Sequence, residues 1–82
     1  MEYSVVAVNV GNREGVAQDM QRILTEHGCV IKVRLGLHDI PANSCSPAGL
    51  VLMEVDGESA EITEMVRKLN ALPETSAKYI VI

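Results

Sequence analysis

Phenylalanine and tryptophan are missing altogether, and the aromatic residues amount to two tyrosines, Tyr3 and Tyr79. A core without large rings must be aliphatic, and a chain with so few rings lacks the stacking platforms on which single-stranded nucleic acid is held. Basic residues are scarce too: 7 lysines and arginines stand against 11 acidic residues, a formal net charge of −4. Such a surface repels a phosphate backbone and gains no counterion-release energy from it, which argues against direct binding of DNA or RNA. No run approaches the roughly 18 apolar residues of a membrane helix, and the opening Met1-Glu2-Tyr3-Ser4 has no basic segment followed by an apolar stretch and cleavage site. The expectation is a soluble, cytoplasmic protein with no membrane partner. Two cysteines, Cys29 and Cys45, are too few for a disulfide framework and are expected as reduced thiols.

What is present suffices for one domain spanning residues 1–82, with 48% hydrophobic residues to build its core. A core of that size yields only about 3 to 5 kcal/mol, so self-association would relieve a real shortage.

The hydrophobic period changes along the chain. Tyr3 to Val10 is dense in β-branched residues and closes at Gly11-Asn12, which reads as a strand entering a turn. From Arg13 to His27 the apolar residues Val16, Met20, Ile23 and Leu24 fall on one stripe, with Gln18, Asp19, Gln21, Arg22 and Glu26 opposite, predicting an amphipathic helix. Gly28 supplies the stop. Cys29 to His38 then alternates, which puts Cys29, Ile31, Val33, Leu35 and Leu37 on one face and Val30, Lys32, Arg34, Gly36 and His38 on the other. Prolines, Asn and Ser make 39–47 a loop, and a third strand runs from Ala48 to Val55, ending at Asp56-Gly57. A second helix follows over Ser59 to Leu72, buried through Ile62, Met65, Val66 and Leu69, and a closing strand over Thr75 to Ile82.

The order β-α-β-β-α-β, with one apolar stripe per helix, predicts an α+β ferredoxin-like fold: a four-stranded antiparallel sheet with both helices on one face. The first and third strands carry apolar residues on both faces, so the face without helices should be apolar as well. A bare apolar face usually marks an interface. A homo-oligomer, dimer or tetramer, is expected, with sheets packed face to face or edge to edge.

The segment Val10-Gly11-Asn12-Arg13-Glu14-Gly15-Val16-Ala17, followed by Ile23-Leu24-Thr25-Glu26-His27-Gly28-Cys29-Val30-Ile31, resembles the opening of ACT domains. The middle, Arg34-Leu35-Gly36-Leu37-His38-Asp39-Ile40 and then Cys45-Ser46-Pro47-Ala48-Gly49-Leu50-Val51, resembles the family of iron-only hydrogenase system regulators, and the layout is similar to the effector domain of nickel-responsive repressors. The resemblance runs over essentially the whole chain. It implies a stand-alone, non-enzymatic ACT-like regulator associated with hydrogenase maturation; the expected mode of action is a ligand-dependent change in its interaction with a partner protein. The nickel sites of those repressors use several histidines and a cysteine, whereas this chain has only His27 and His38.

Two candidate sites emerge. In the turn formed by Gly11, Asn12, Arg13 and Gly15, glycines at a strand-to-helix junction let a ligand approach backbone N–H groups, and the helix start favours an anion. The resemblance implies a small-ligand site there at a subunit interface; the bland alternative is a tight turn with Asn12 capping the helix. The second candidate joins His38, Asp39 and Cys45, whose imidazole, carboxylate and thiolate suit a transition metal completed by donors from a second subunit. The alternative is that these are ordinary residues of a strand end and a loop. Cys45 as a nucleophile would need His38 as an oriented base, and no third orienting group is evident apart from Asp39, so no catalytic residue is assigned. Cys29 is expected as a small buried hydrophobe of the second strand. Lys32 and Arg34 have cross-strand pairing, with Glu54 as partner, as their commoner role.

Overall fold

The computed structural model describes residues 2–11, 13–38 and 49–82, the side chains of residues 13, 14, 37 and 38 excepted. Strand β1 (Ser4–Val10) leads into helix α1 (Arg13–Glu26), a single 3-10 turn (Gly28–Val30) and strand β2 (Ile31–His38). Strand β3 (Gly49–Val55), helix α2 (Ser59–Asn70) and strand β4 (Thr75–Val81) complete the chain. The strands form one antiparallel sheet in the order β2-β3-β1-β4. This is the ferredoxin-like α+β fold, and its element bounds differ from those read in the sequence by only one or two residues at most ends.

Alternation decides what each strand buries. Val6, Val8 and Val10 of β1 and Val51, Met53 and Val55 of β3 point to one face and join Val16, Met20, Ile23 and Leu24 of α1 with Ile62, Met65 and Leu69 of α2 in a single core. Both helices therefore cover the same side. Helix α2 starts after Glu58, whose carbonyl accepts from the amides of Glu61 and Ile62, and carries Glu61 in its first turn and Arg67 and Lys68 in its last, the charge order that suits the helix dipole.

The second strand departs from the alternation expected for it. Cys29 lies in the 3-10 turn and is exposed, not buried on a strand face, because that turn lifts it out of the sheet while Val30 beside it enters the core. Ile31 pairs with Val55 and Val33 with Glu54, so Lys32 is the extra residue of a β-bulge. The bulge shifts the phase. Ile31 packs against the core, whereas Val33 and Leu35, expected on the same side as Ile31, lie on the open face with 56% and 52% exposure.

The turns are tightly fitted. Gly57 adopts φ 139°, and a Cβ there would stand 2.7 Å from Val30 Cγ1, so only glycine lets the β3–α2 turn close on the 3-10 turn. The Asp56 amide donates to the Val30 carbonyl at 2.8 Å across the same junction.

Candidate functional site

The open face of the sheet is a grid fixed by register. Going from β2 through β3 and β1 to β4, one row reads Val33, Glu54, Val5, Ile80 and the next Leu35, Leu52, Ala7, Lys78; Leu50, Asn9 and Ser76 follow on β3, β1 and β4. Aliphatic residues dominate the β2–β3 half, where no helix covers them. Leu50 and Ile80, at 37% and 45% exposure, extend the apolar surface toward the other half.

Across β1 and β4 the face dips. A depression of about 310 Å³ is lined by Ala7, Asn9, Leu50, Ser76, Lys78 and Ile80. Its floor follows from one small residue: Ala7 stands between Leu52 and Lys78, so the sheet surface drops where a methyl replaces a longer chain. Asn9 and Ser76 are directly paired across the strands, and Lys78 follows Ser76 two residues on, which puts an amide, a hydroxyl and an ammonium along one wall. Among the described residues none of these three side chains has a hydrogen-bond or ion-pair partner. The face's carboxylate, Glu54, is engaged instead with Lys32 at 3.7 Å.

Lys32 meets Glu54 as the sequence suggested, but Arg34 does not share that role. Its Nη1 donates to Gln21 Oε1 of α1 at 2.9 Å, on the helix side of the sheet. The bulge at Lys32 separates the two cations that simple alternation had placed together.

One edge of the sheet is partly covered by a side chain. At the outer edge of β4 the Asn70 side chain, at the end of α2, accepts from the Ala77 amide at 2.7 Å and donates to the Ala77 carbonyl at 3.0 Å. A side-chain amide thus occupies the groups that an added strand would use.

The sequence-derived sites are placed only in part. The Gly11 amide donates to the Glu74 carbonyl at 2.7 Å, and a Cβ on Gly11 would lie 3.2 Å from both the Cβ and the carbonyl oxygen of Glu74. This glycine is used for close approach to the α2–β4 turn, in which Glu74 has φ 52°. Arg13 opens α1 and Gly15 is exposed in its first turn; Asn12 lies outside the described residues. His38 ends β2, its backbone paired with Gly49, while Asp39 and Cys45 lie outside the described residues. Among the described residues no three His, Cys, Asp or Glu side chains come together as a metal-holding group.

A polar cluster at the α1–α2 junction escaped the sequence reading. His27, 7% exposed, has Nδ1 3.4 Å from Glu61 Oε1 and Nε2 3.1 Å from Lys68 Nζ, and the same ammonium reaches Glu26 Oε2 at 3.1 Å. The ring thus bridges a carboxylate of α2 and an ammonium of the same helix. The hydrogen bond from Lys68, reinforced by its charge, holds the Glu26 carboxyl below the usual glutamate range. Arg67 does the same for Glu64, and its own pKa is raised in return. Every member of the His27 cluster has a partner, so the cluster joins the two helices.

No protein-family model and no curated protein matches the sequence. Solved structures do match. An uncharacterized protein from Thermotoga maritima superposes with TM-score 0.81 at 14% identity, over 100% of this chain and 99% of that one. CPII, a nitrogen regulatory PII-like protein from Thiomonas intermedia K12 solved with ADP, AMP and bicarbonate, gives 0.61 at 7% identity over 100% and 93%. A dimeric ferredoxin-like protein from an uncultured marine organism gives 0.51 at 8% identity over 99% and 92%. At these identities the likeness establishes the fold. No helix of the described residues is long and apolar enough to cross a membrane.

Proposed function

We propose that this chain is a non-enzymatic regulatory module that works as a homo-oligomer and senses a small ligand. The observation that carries the reading is the open sheet face, mostly aliphatic across β2, β3 and part of β1, with a depression that has one polar wall. Its occupant is a second copy of the chain. Four strands of this length cover roughly 19 by 23 Å, a plane of about 440 Å² and so about half of the ~800 Å² per partner of a standard interface. Glu54 is already neutralised by Lys32, so two such faces meet without carboxylate repulsion. Asn70 occupies the Ala77 position of the β4 edge, which favours the face over that edge as the contact. A neighbour of the same fold is dimeric, which supports self-association in general.

The regulatory part of the reading draws support from the PII-like neighbours. The process comes from the sequence resemblance: a cytoplasmic regulator of an iron-only hydrogenase system, with any DNA-binding activity in a partner protein. His38, Asp39 and Cys45 remain the proposed metal donors, completed by a second subunit, and no residue is given a catalytic role.

Native mass spectrometry across a concentration series tests the reading. The wild type is expected as a dimer, and Leu35→Glu with Leu52→Glu as a monomer of unchanged circular dichroism. A metal lost from the dimer on His38→Ala with Cys45→Ala would make the sensed ligand a metal; a metal-free dimer in both removes the metal from the proposal. A dimer whose melting temperature responds to no metabolite favours a plain assembly protein of hydrogenase maturation instead. A wild type that stays monomeric at every concentration overturns the homo-oligomer.

A further inference from the structure

The depression on the open face differs from the rest of that face in chemistry. Its polar wall presents Lys78, Asn9 and Ser76, three groups able to donate hydrogen bonds, none of them satisfied by the protein among the described residues. Its remaining lining is aliphatic, with Ala7 as floor and Leu50 and Ile80 as walls. No carboxylate lines it, so a cationic group placed there would meet Lys78 without a counter-charge. Donors and a positive charge at one side, hydrocarbon at the other, and about 310 Å³ of space describe a receptor for a small anion with a short apolar tail.

Closure of the face makes the anion matter more. A second sheet packs about 10 Å away, which covers the depression and takes Lys78 out of water. A covered ammonium without a partner is costly, and the face's own carboxylate is committed to Lys32. We propose that the depression bounded by Ala7, Asn9, Ser76 and Lys78 binds a short-chain aliphatic monocarboxylate, and that this anion supplies the charge that lets two open faces close on each other. The second half of this statement rests on the homo-oligomer reading above; the first half does not. Ammonium and carboxylate form a charge-assisted pair, Asn9 and Ser76 hold the carboxylate oxygens, and the hydrocarbon tail lies against Leu50 and Ile80. An amino acid of the same tail is rejected, because its α-ammonium stands against Lys78 with no acid to neutralise it.

Isovalerate is the probe, with valine and isovaleramide as controls, titrated into the full chain. Backbone NMR reads the site directly: isovalerate is expected to shift the amides of Asn9, Ser76 and Lys78 saturably, with the affinity falling about tenfold or more in Lys78→Gln and in Ala7→Leu, which fills the floor. Sedimentation velocity reads the coupling: isovalerate tightens the wild-type dimer, whereas Lys78→Gln dimerises more tightly without it and ignores it. Absence of saturable shifts, equal binding of isovaleramide or valine, or unchanged affinity in Lys78→Gln overturns the site. Binding that leaves the dimer constant unmoved overturns the coupling. The NMR arm is decisive even if the chain proves monomeric, so failure of the site and failure of the homo-oligomer are told apart.

Discussion

The two faces of this one sheet are made from the same strands and the same kinds of residue, yet they serve opposite ends. On the helix side Val6, Val8 and Val10 are wholly buried in the core that α1 and α2 share. On the other side Val33, Leu35 and Ile80 stay about half exposed. The difference lies in what covers the residues rather than in the residues, and it teaches that apolarity in a strand measures the need for a partner without naming the partner. Stability should therefore respond to the first face at any concentration and to the second only where copies meet.

The largest effects should come from the covered side. Leu69→Ala or Met65→Ala, both fully buried, is expected to lower the unfolding free energy by about 2 to 5 kcal/mol in urea denaturation. Leu50→Ala on the open face should change it by no more than about 0.5 kcal/mol in dilute protein. Equal losses would break the comparison. Gly57→Ala comes next, at about 1 to 3 kcal/mol, because its φ of 139° and the 2.7 Å approach to Val30 leave no place for a Cβ; thermal unfolding measures it. Asn70→Ala exposes the edge of β4 by leaving both backbone groups of Ala77 unpaired, and about 1 to 2 kcal/mol should be lost with faster amide exchange at Ala77.

The smallest effect belongs to the surface ion pair at the helix junction. Lys68 depresses the Glu26 pKa in the folded state, so its stabilisation is present above the ordinary glutamate range and is lost as pH falls through the depressed value. Because Glu26 is exposed, the effect is small and screened by salt. The melting temperatures of wild type and Glu26→Gln should differ slightly near neutral pH and converge in acid. A difference that grows in acid would contradict the assignment.

How much was legible in advance varies from element to element. Helix α2 was readable because Ile62, Met65 and Leu69 repeat with the helical period and Pro73 follows its end. Strand β2 was readable as a strand but not in phase. Nothing local marks Lys32 as the extra residue of a bulge; the shift arises because β2 must pair with β3 while Val30 and Ile31 turn into the core. The same cause took Cys29 out of the sheet. The depression at Ala7 was not legible either, since Asn9, Ser76 and Lys78 belong to strands far apart in the chain and meet only through the β1–β4 register. Alternation of Ser76 and Lys78 on β4 was the one available hint, and it reads equally well as a solvated face.

The amino-acid sequence by itself determined the element order, the aliphatic core and the existence of a second apolar face, because those follow from period, branching and turn residues within short windows. Tertiary structure alone decided which side chains share the open face and where it dips, which cation meets which acid, and that Gly11 serves the Glu74 turn. Each of these depends on strand register and on one bulge, and register is settled only when strands distant in sequence come to lie side by side.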